Sequence, residues 1–181
     1  TGARPTSGTL TINGTGTQTY TGIAGGYTSK LVIDKPTGGA FAPNGATVLG
    51  VFSLSVLQGS FTAPSSTLTF HQSASDGQAN LTVLNVASGA TFTHNSGTIV
   101  FSTTINSCAT FTHTVNVDTA LTVNNLTANI VQGCNPTGIP VIIAPGAGDT
   151  ITIAGDLTQT SGALSGSWVV QGNISIAAPN G

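Results

Sequence analysis

Residues 89–102 read GATFTHNSGTIVFS: a small residue, a Phe-Thr pair, a polar corner, then a β-branched strand. The same order of parts returns in GSFTAPSSTLTFH from Gly59 and in CATFTHTVNVDTALTVN from Cys108. Phe61, Phe92 and Phe111 therefore read as equivalent positions of one unit, and their unequal spacing makes the repeat degenerate. A solenoid stacks one supersecondary unit many times, whereas a sandwich need not repeat itself. The reading is all-β, a parallel β-helix or solenoid, with an antiparallel β-sandwich of jelly-roll type as the alternative.

Outward from that stretch the same period-two alternation recurs, as in Leu10 and Ile12 among Thr9 and Thr11, Leu68 and Phe70 among Thr67 and Thr69, and Ile151 and Ile153 among Thr150 and Thr152. Such alternation marks half-buried strands. Further strands are expected at 30–33, 48–57, 80–85, 98–101, 119–123, 140–143 and 167–170. Between them stand Asn13-Gly14, Asn44-Gly45, Asp76-Gly77, Ser88-Gly89 and Ser96-Gly97, residues that tolerate the backbone of tight turns. No ten-residue window carries the apolar spacing and helix formers that a helix needs. Residues 1–6 lack any pattern and read as an N-terminal arm, followed by one elongated domain over 7–181.

Charged residues make up 4% of the 181-residue chain, against about 25% in ordinary domains. There is no Glu; the cations are Arg4, Lys30 and Lys35, and the acids Asp34, Asp76, Asp118, Asp149 and Asp156. Three scattered cations cannot form the patch that releases counterions from nucleic acid or anionic lipid, so neither is an expected partner. The abundance of Val, Ile, Thr and Phe separates the chain from disordered sequences of similar polarity. Its longest apolar stretch, 48–57, includes Ser53 and Ser55 and is far shorter than the roughly 20 residues of a spanning helix. The opening residues carry no signal-peptide pattern, which implies removal of a leader or a start inside a longer polypeptide. Cys108 and Cys134 are the only cysteines, and in so hydroxyl-rich a chain they are expected to form an extracellular disulfide, with two buried thiols as the plainer alternative.

SGTLTINGTGTQTYTG from Ser7, KLVIDKPTGG from Lys30, SGTIVFSTT from Ser96 and ALTVNNLT from Ala120 resemble the degenerate repeats of large secreted bacterial surface proteins and adhesins. That resemblance covers about two thirds of the chain. It implies a parallel β-helix and a role in surface display, adhesion or fibre building. Residues 134–148 depart from the pattern and leave room for an irregular or sandwich-like end.

Little here speaks for catalysis, and the chain is read as a non-enzyme without cofactor or metal. A hydrolase or lyase would need neighbouring carboxylates; Asp149 and Asp156 could be gathered by stacking, yet each also reads as a turn residue. His71, His94 and His113 could ligate a metal if stacked on one face, and His94 and His113, each after Phe-Thr, are expected to align; without a Cys or carboxylate neighbour a polar ladder is the plainer account. Gly14 and Gly16 lack the following helix of a phosphate loop. An isopeptide bond would need Lys30 or Lys35 buried beside an Asn and a carboxylate, whereas both, with Asp34, read as a surface trio. Sequons at Asn13, Asn80, Asn125 and Asn173 could carry glycans.

Few charges and unprotected strand edges point to self-association, and the expected role is a self-assembling subunit or repeat segment of an extracellular filament, sheath or adhesin stalk. Its partners would be copies of itself, and glycans where sequons are used. The alternative is a carbohydrate-binding or adhesive module in which Trp168, Tyr20 and Tyr27 stack on sugar rings. Ice binding by the Thr-x-Thr pairs at 9/11, 67/69, 91/93, 110/112 and 150/152 is a further alternative, opposed by their irregular spacing, which is expected to break the register that a flat array needs.

Overall fold

The structure, a computed structural model, describes residues 8–36, 38–45, 47–73, 79–106, 109–118, 120–132 and 141–177. Among them there is no helix, and every strand ladder is parallel. The chain winds through seven coils. The first coil holds β1 (Thr9–Ile12) and β2 (Thr17–Tyr20); the second holds β3 (Thr28–Asp34), β4 (Ala40–Pro43) and the start of β5 (Val48–Gln58). The bent end of β5 opens the third coil, followed by β6 (Ser60–Thr62) and β7 (Thr67–Gln72). Then come β8 (Leu81–Val86), β9 (Thr91–Thr93) and β10 (Thr98–Ile105), and after them β11 (Phe111–Val117), β12 (Leu121–Val123) and β13 (Asn125–Gln132). The last two coils are β14 (Val141–Pro145), β15 (Thr150–Ile153) and β16 (Leu157–Gln159), and β17 (Ala163–Leu164), β18 (Ser167–Val170) and β19 (Ile174–Ile176).

Each coil visits three faces in turn. Face A stacks β1, β3, the end of β5, β8, β11, β14 and β17; face C stacks the start of β5, β7, β10, β13, β16 and β19. The bend of β5 joins A and C into one 12-stranded sheet. Face B is split into β2-β4-β6-β9 and β12-β15-β18. The antiparallel sandwich is thereby excluded. Residues 141–177 continue the same parallel stacking, so no sandwich-like end follows β13.

Period-two alternation becomes in-register ladders because each inward residue sits on its counterpart one coil below. On face C the inward row is Leu49, Leu68, Ile99, Leu126, Leu157 and Ile174; on face A it is Leu10, Leu31, Leu54, Leu84, Val115 and Pro145. Coils take between 17 and 31 residues, as the pairings Leu157 with Ile174 and Leu84 with Val115 show. The surplus falls between faces C and A, so the ladders keep register while the spacing in sequence does not.

Phe41, Phe61 and Phe92 form the inward row of face B, with Tyr20 packed on Phe41 at 5.1 Å between ring centroids. Phe111 is not their equivalent. It opens β11 on face A, in register with Val141, because the string Phe-Thr-His meets a different rung there. Corners are cheap in residues because glycine supplies positive φ between faces A and B, at Gly38, Gly59, Gly89, Gly148 and Gly166. Between faces B and C, Asn95 (φ 50°) and Ser96 (φ 58°) do the same without glycine.

Candidate functional site

The inward rows must end where the coils end. In the last coil Ile174 is 58% exposed, although its row-mate Leu126 is 2% exposed. Seven large apolar side chains are exposed among the described residues, and five of them lie in the first and last coils: Leu10, Ile23, Val169, Ile174 and Ile176. Half-buried Trp168 and Val170 complete the final rung of face B, paired in register with Ile151 and Ile153. Fully burying such a side chain stabilises by about 1.5–3 kcal/mol, so each half-exposed end residue leaves on the order of 1 kcal/mol unrealised. The strands of both end coils also lack a ladder partner on their outer side among the described residues. Among the described residues, the first and last coils thus combine exposed apolar side chains with strands paired on one side only.

The charged residues act at corners. Asp118 accepts from the backbone N–H of Ser88 (3.1 Å) and Asp149 from that of Val117 (2.9 Å), each tying one A-to-B corner to the coil below. Asp156 accepts from both the backbone and the amide of Asn173 (2.8 and 3.1 Å), and its own N–H donates to Asn125 Oδ1 (2.8 Å). Asp149 and Asp156 sit at opposite ends of β15, at different corners, and the stacking does not bring them together. Asp34 accepts from Gln58 Nε2 (2.8 Å).

The surface trio expected of Lys30, Asp34 and Lys35 is corrected at Lys35. Lys30 is exposed, but Lys35 is wholly buried, its Nζ donating to the Gly14 carbonyl (2.5 Å) and to Gln18 Oε1 (2.7 Å). Gln18 Oε1 also accepts from Gly14 N–H (3.1 Å), so the side chain fastens the corner of the first coil to the second. A Cβ on Gly39 or Gly59 would run into the Lys35 stem, and these two glycines make its channel. The partners of Nζ are neutral oxygens, not the Asn and carboxylate of an isopeptide site.

His71 lies on β7 of face C, His94 at a B-to-C corner with Nδ1 accepting from Ser96 N–H (3.0 Å), and His113 buried on β11 of face A. The expected alignment of His94 and His113 fails for the reason that Phe111 fails: the two Phe-Thr-His strings occupy different faces. Tyr20 is buried, its hydroxyl donating to the Thr62 carbonyl (2.9 Å), and burial pushes its phenol well above the ordinary value. Tyr27 packs on His71 at 4.8 Å, and Trp168 Nε1 donates to the Ser165 carbonyl (2.7 Å) in the last coil. Tyr20 and Trp168 thus stand at opposite ends of face B, and the three aromatics form no common platform.

The Thr-x-Thr pairs are distributed over several faces. Thr91 and Thr93 stack in register on Ser60 and Thr62, so uneven spacing in sequence does not break register; alanines 40 and 42 occupy the same rows one coil lower. Of the sequons, Asn13, Asn80 and Asn173 are exposed and Asn125 half-buried; Asn80 Oδ1 accepts from Thr112 N–H (2.8 Å). Cys108 and Cys134 lie outside the described residues, as do residues 1–6. No described helix is long and apolar enough to cross a membrane. A scan against protein-family models and searches of curated proteins and of solved structures give no significant match.

Proposed function

We propose that the chain is an extracellular structural element, a solenoid rod that serves as subunit or repeat segment of a surface filament, sheath or adhesin stalk. The observation that carries this reading is the uninterrupted parallel stack of seven coils, each held to the next by in-register ladders, an architecture that extends coil by coil into a rod. The surface suits such a rod: hydroxyls and amides provide solubility, and the acids are spent on corners. Secretion would let Cys108 and Cys134 pair and the exposed sequons carry glycans.

Negative-stain electron microscopy of the purified chain across a concentration series tests the reading. Rods longer than a single solenoid are the expected result. Particles of single-chain size at every concentration would overturn it and turn attention to binding of a separate ligand.

A further inference from the structure

Beyond the assembly reading and independent of it, we infer that face B binds ice, its outward rows of small uncharged side chains matching a lattice of water molecules. On β4, β6 and β9 the alternation that turns Phe41, Phe61 and Phe92 inward turns the flanking residues outward. One outward row is Thr17, Ala40, Ser60 and Thr91, and beside it runs Thr19, Ala42, Thr62 and Thr93. The second sheet of the face repeats the pattern. Thr150 stands beside Ser167, with 3.2 Å between their hydroxyl oxygens, and Thr122, Thr152 and Val169 form the neighbouring row. Thr-x-Thr in sequence thus becomes part of a two-column grid, although the coils that carry it differ in length.

Three properties of the grid select its occupant. The first is spacing, regular in two directions: about 4.8 Å from rung to rung and roughly 6.6 Å between alternate residues of a strand, close to the oxygen repeats of ice. Threonine holds its hydroxyl and methyl through a restricted χ1, so the grid is ordered before anything binds. Many equal, weak contacts across successive rungs then act together. A crevice of about 220 Å³, lined in part by Thr91 of β9 and Leu121 of β12, separates a patch of four rungs from a patch of three, and each patch keeps its own ladder.

The second property is freedom from charge and from glycan sites. Among the described residues the charged side chains, Lys30, Lys35 and four aspartates, lie on face A or at corners. Asn13, Asn80, Asn125 and Asn173 lie on face C or at corners, so glycans on the sequons would leave face B bare. The third is the absence of anchors among the outward residues of the described strands. Protein partners are gripped through Trp, Tyr or Arg in pockets, and sugar surfaces through exposed aromatic rings, whereas here Tyr20, Phe41 and Phe61 are buried beneath the grid. Faces A and C are less uniform: Lys30 and Asp34 point outward on A, and His71, Asn125 and Asn129 on C.

Ice-affinity partitioning and microscopy of a seed crystal held just below its melting point test the inference. The wild-type chain is expected to enter slowly grown ice, to facet the seed and to hold it against growth. Thr93→Lys combined with Thr122→Lys, one exposed position in each patch, should abolish both effects while leaving the circular dichroism spectrum unchanged. Thr19→Lys, exposed on β2, is the second probe should that pair disturb folding, and it should reduce uptake into ice. Thr82→Lys adds the same charge at an exposed position of face A and should leave uptake at the wild-type level. A wild-type chain excluded from ice would overturn the inference, as would face B variants taken up as well as wild type. Retention on crystalline cellulose or chitin with exclusion from ice would overturn it in favour of a polysaccharide surface. Rods in electron microscopy without ice activity would overturn it and leave the structural reading standing, whereas ice uptake by a chain that stays single would support it and overturn assembly alone.

Discussion

Phe61→Ala tests whether the aromatic row of face B is the structural spine of the first four coils. Phe61 is completely buried, with Phe92, Tyr20 and Phe41 rings at 5.6, 6.1 and 6.3 Å. Truncating a buried Phe costs about 3–5 kcal/mol through lost transfer energy and the cavity left behind. Each aromatic pair adds about 0.5–1.5 kcal/mol beyond area, although pairs at these separations belong at the weak end. A loss of about 4–5 kcal/mol follows. With a urea dependence of about 2 kcal/mol/M, the unfolding midpoint should fall by about 2 M, read by far-ultraviolet circular dichroism. Leu57→Ala is the control, since Leu57 is 40% exposed and its truncation should cost under about 1 kcal/mol. The single Trp168 sits four coils away, and nearest-neighbour coupling should leave its fluorescence transition less displaced than the dichroism. A midpoint shift no larger than that of Leu57→Ala would refute the reasoning.

Lys35→Met keeps the buried stem but removes the ammonium donor from the Gly14 carbonyl and leaves Gln18 Oε1 with the Gly14 N–H alone, and should cost about 1–3 kcal/mol in thermal or urea unfolding; an unchanged midpoint would show that the clamp is idle. Gly97→Ala would press a methyl on the Pro64 carbonyl at a buried corner, and a loss of about 1–3 kcal/mol in urea unfolding is expected, whereas Gly25→Ala meets open space and should lose stability only through its positive φ. Tyr20 sets an alkaline limit. Its folded phenol ionises above the unfolded one, so its contribution is complete below pH about 10 and declines as pH rises beyond that, by up to about 1.4 kcal/mol per pH unit until the folded group ionises. Tyr20→Phe should flatten that decline in stability measured between pH 9 and 11; an identical slope in both proteins would assign the decline to other groups.

Much of the architecture was legible because the inward rows impose period-two alternation: the strands containing Leu10, Leu31, Leu68, Ile99 and Ile151 all announce themselves. The short strands β2, β4, β6 and β9 of face B did not. Ala40–Pro43 and Ser60–Thr62 carry too few residues to show a period, and they are strands because Phe41 and Phe61 stack on each other. Phe111 was misplaced because local sequence is the same at 92–94 and 111–113, and only the coil below decides which face a string joins. Lys35 was misjudged because Asp-Lys-Pro reads as a surface turn. Its burial depends on Gly14 and Gln18, many residues earlier, and the signal that could have revealed it is the small residues Gly39 and Gly59 around its stem. Uneven spacing weakened the repeat in sequence because the surplus residues sit at one corner, between faces C and A, where insertion disturbs no ladder.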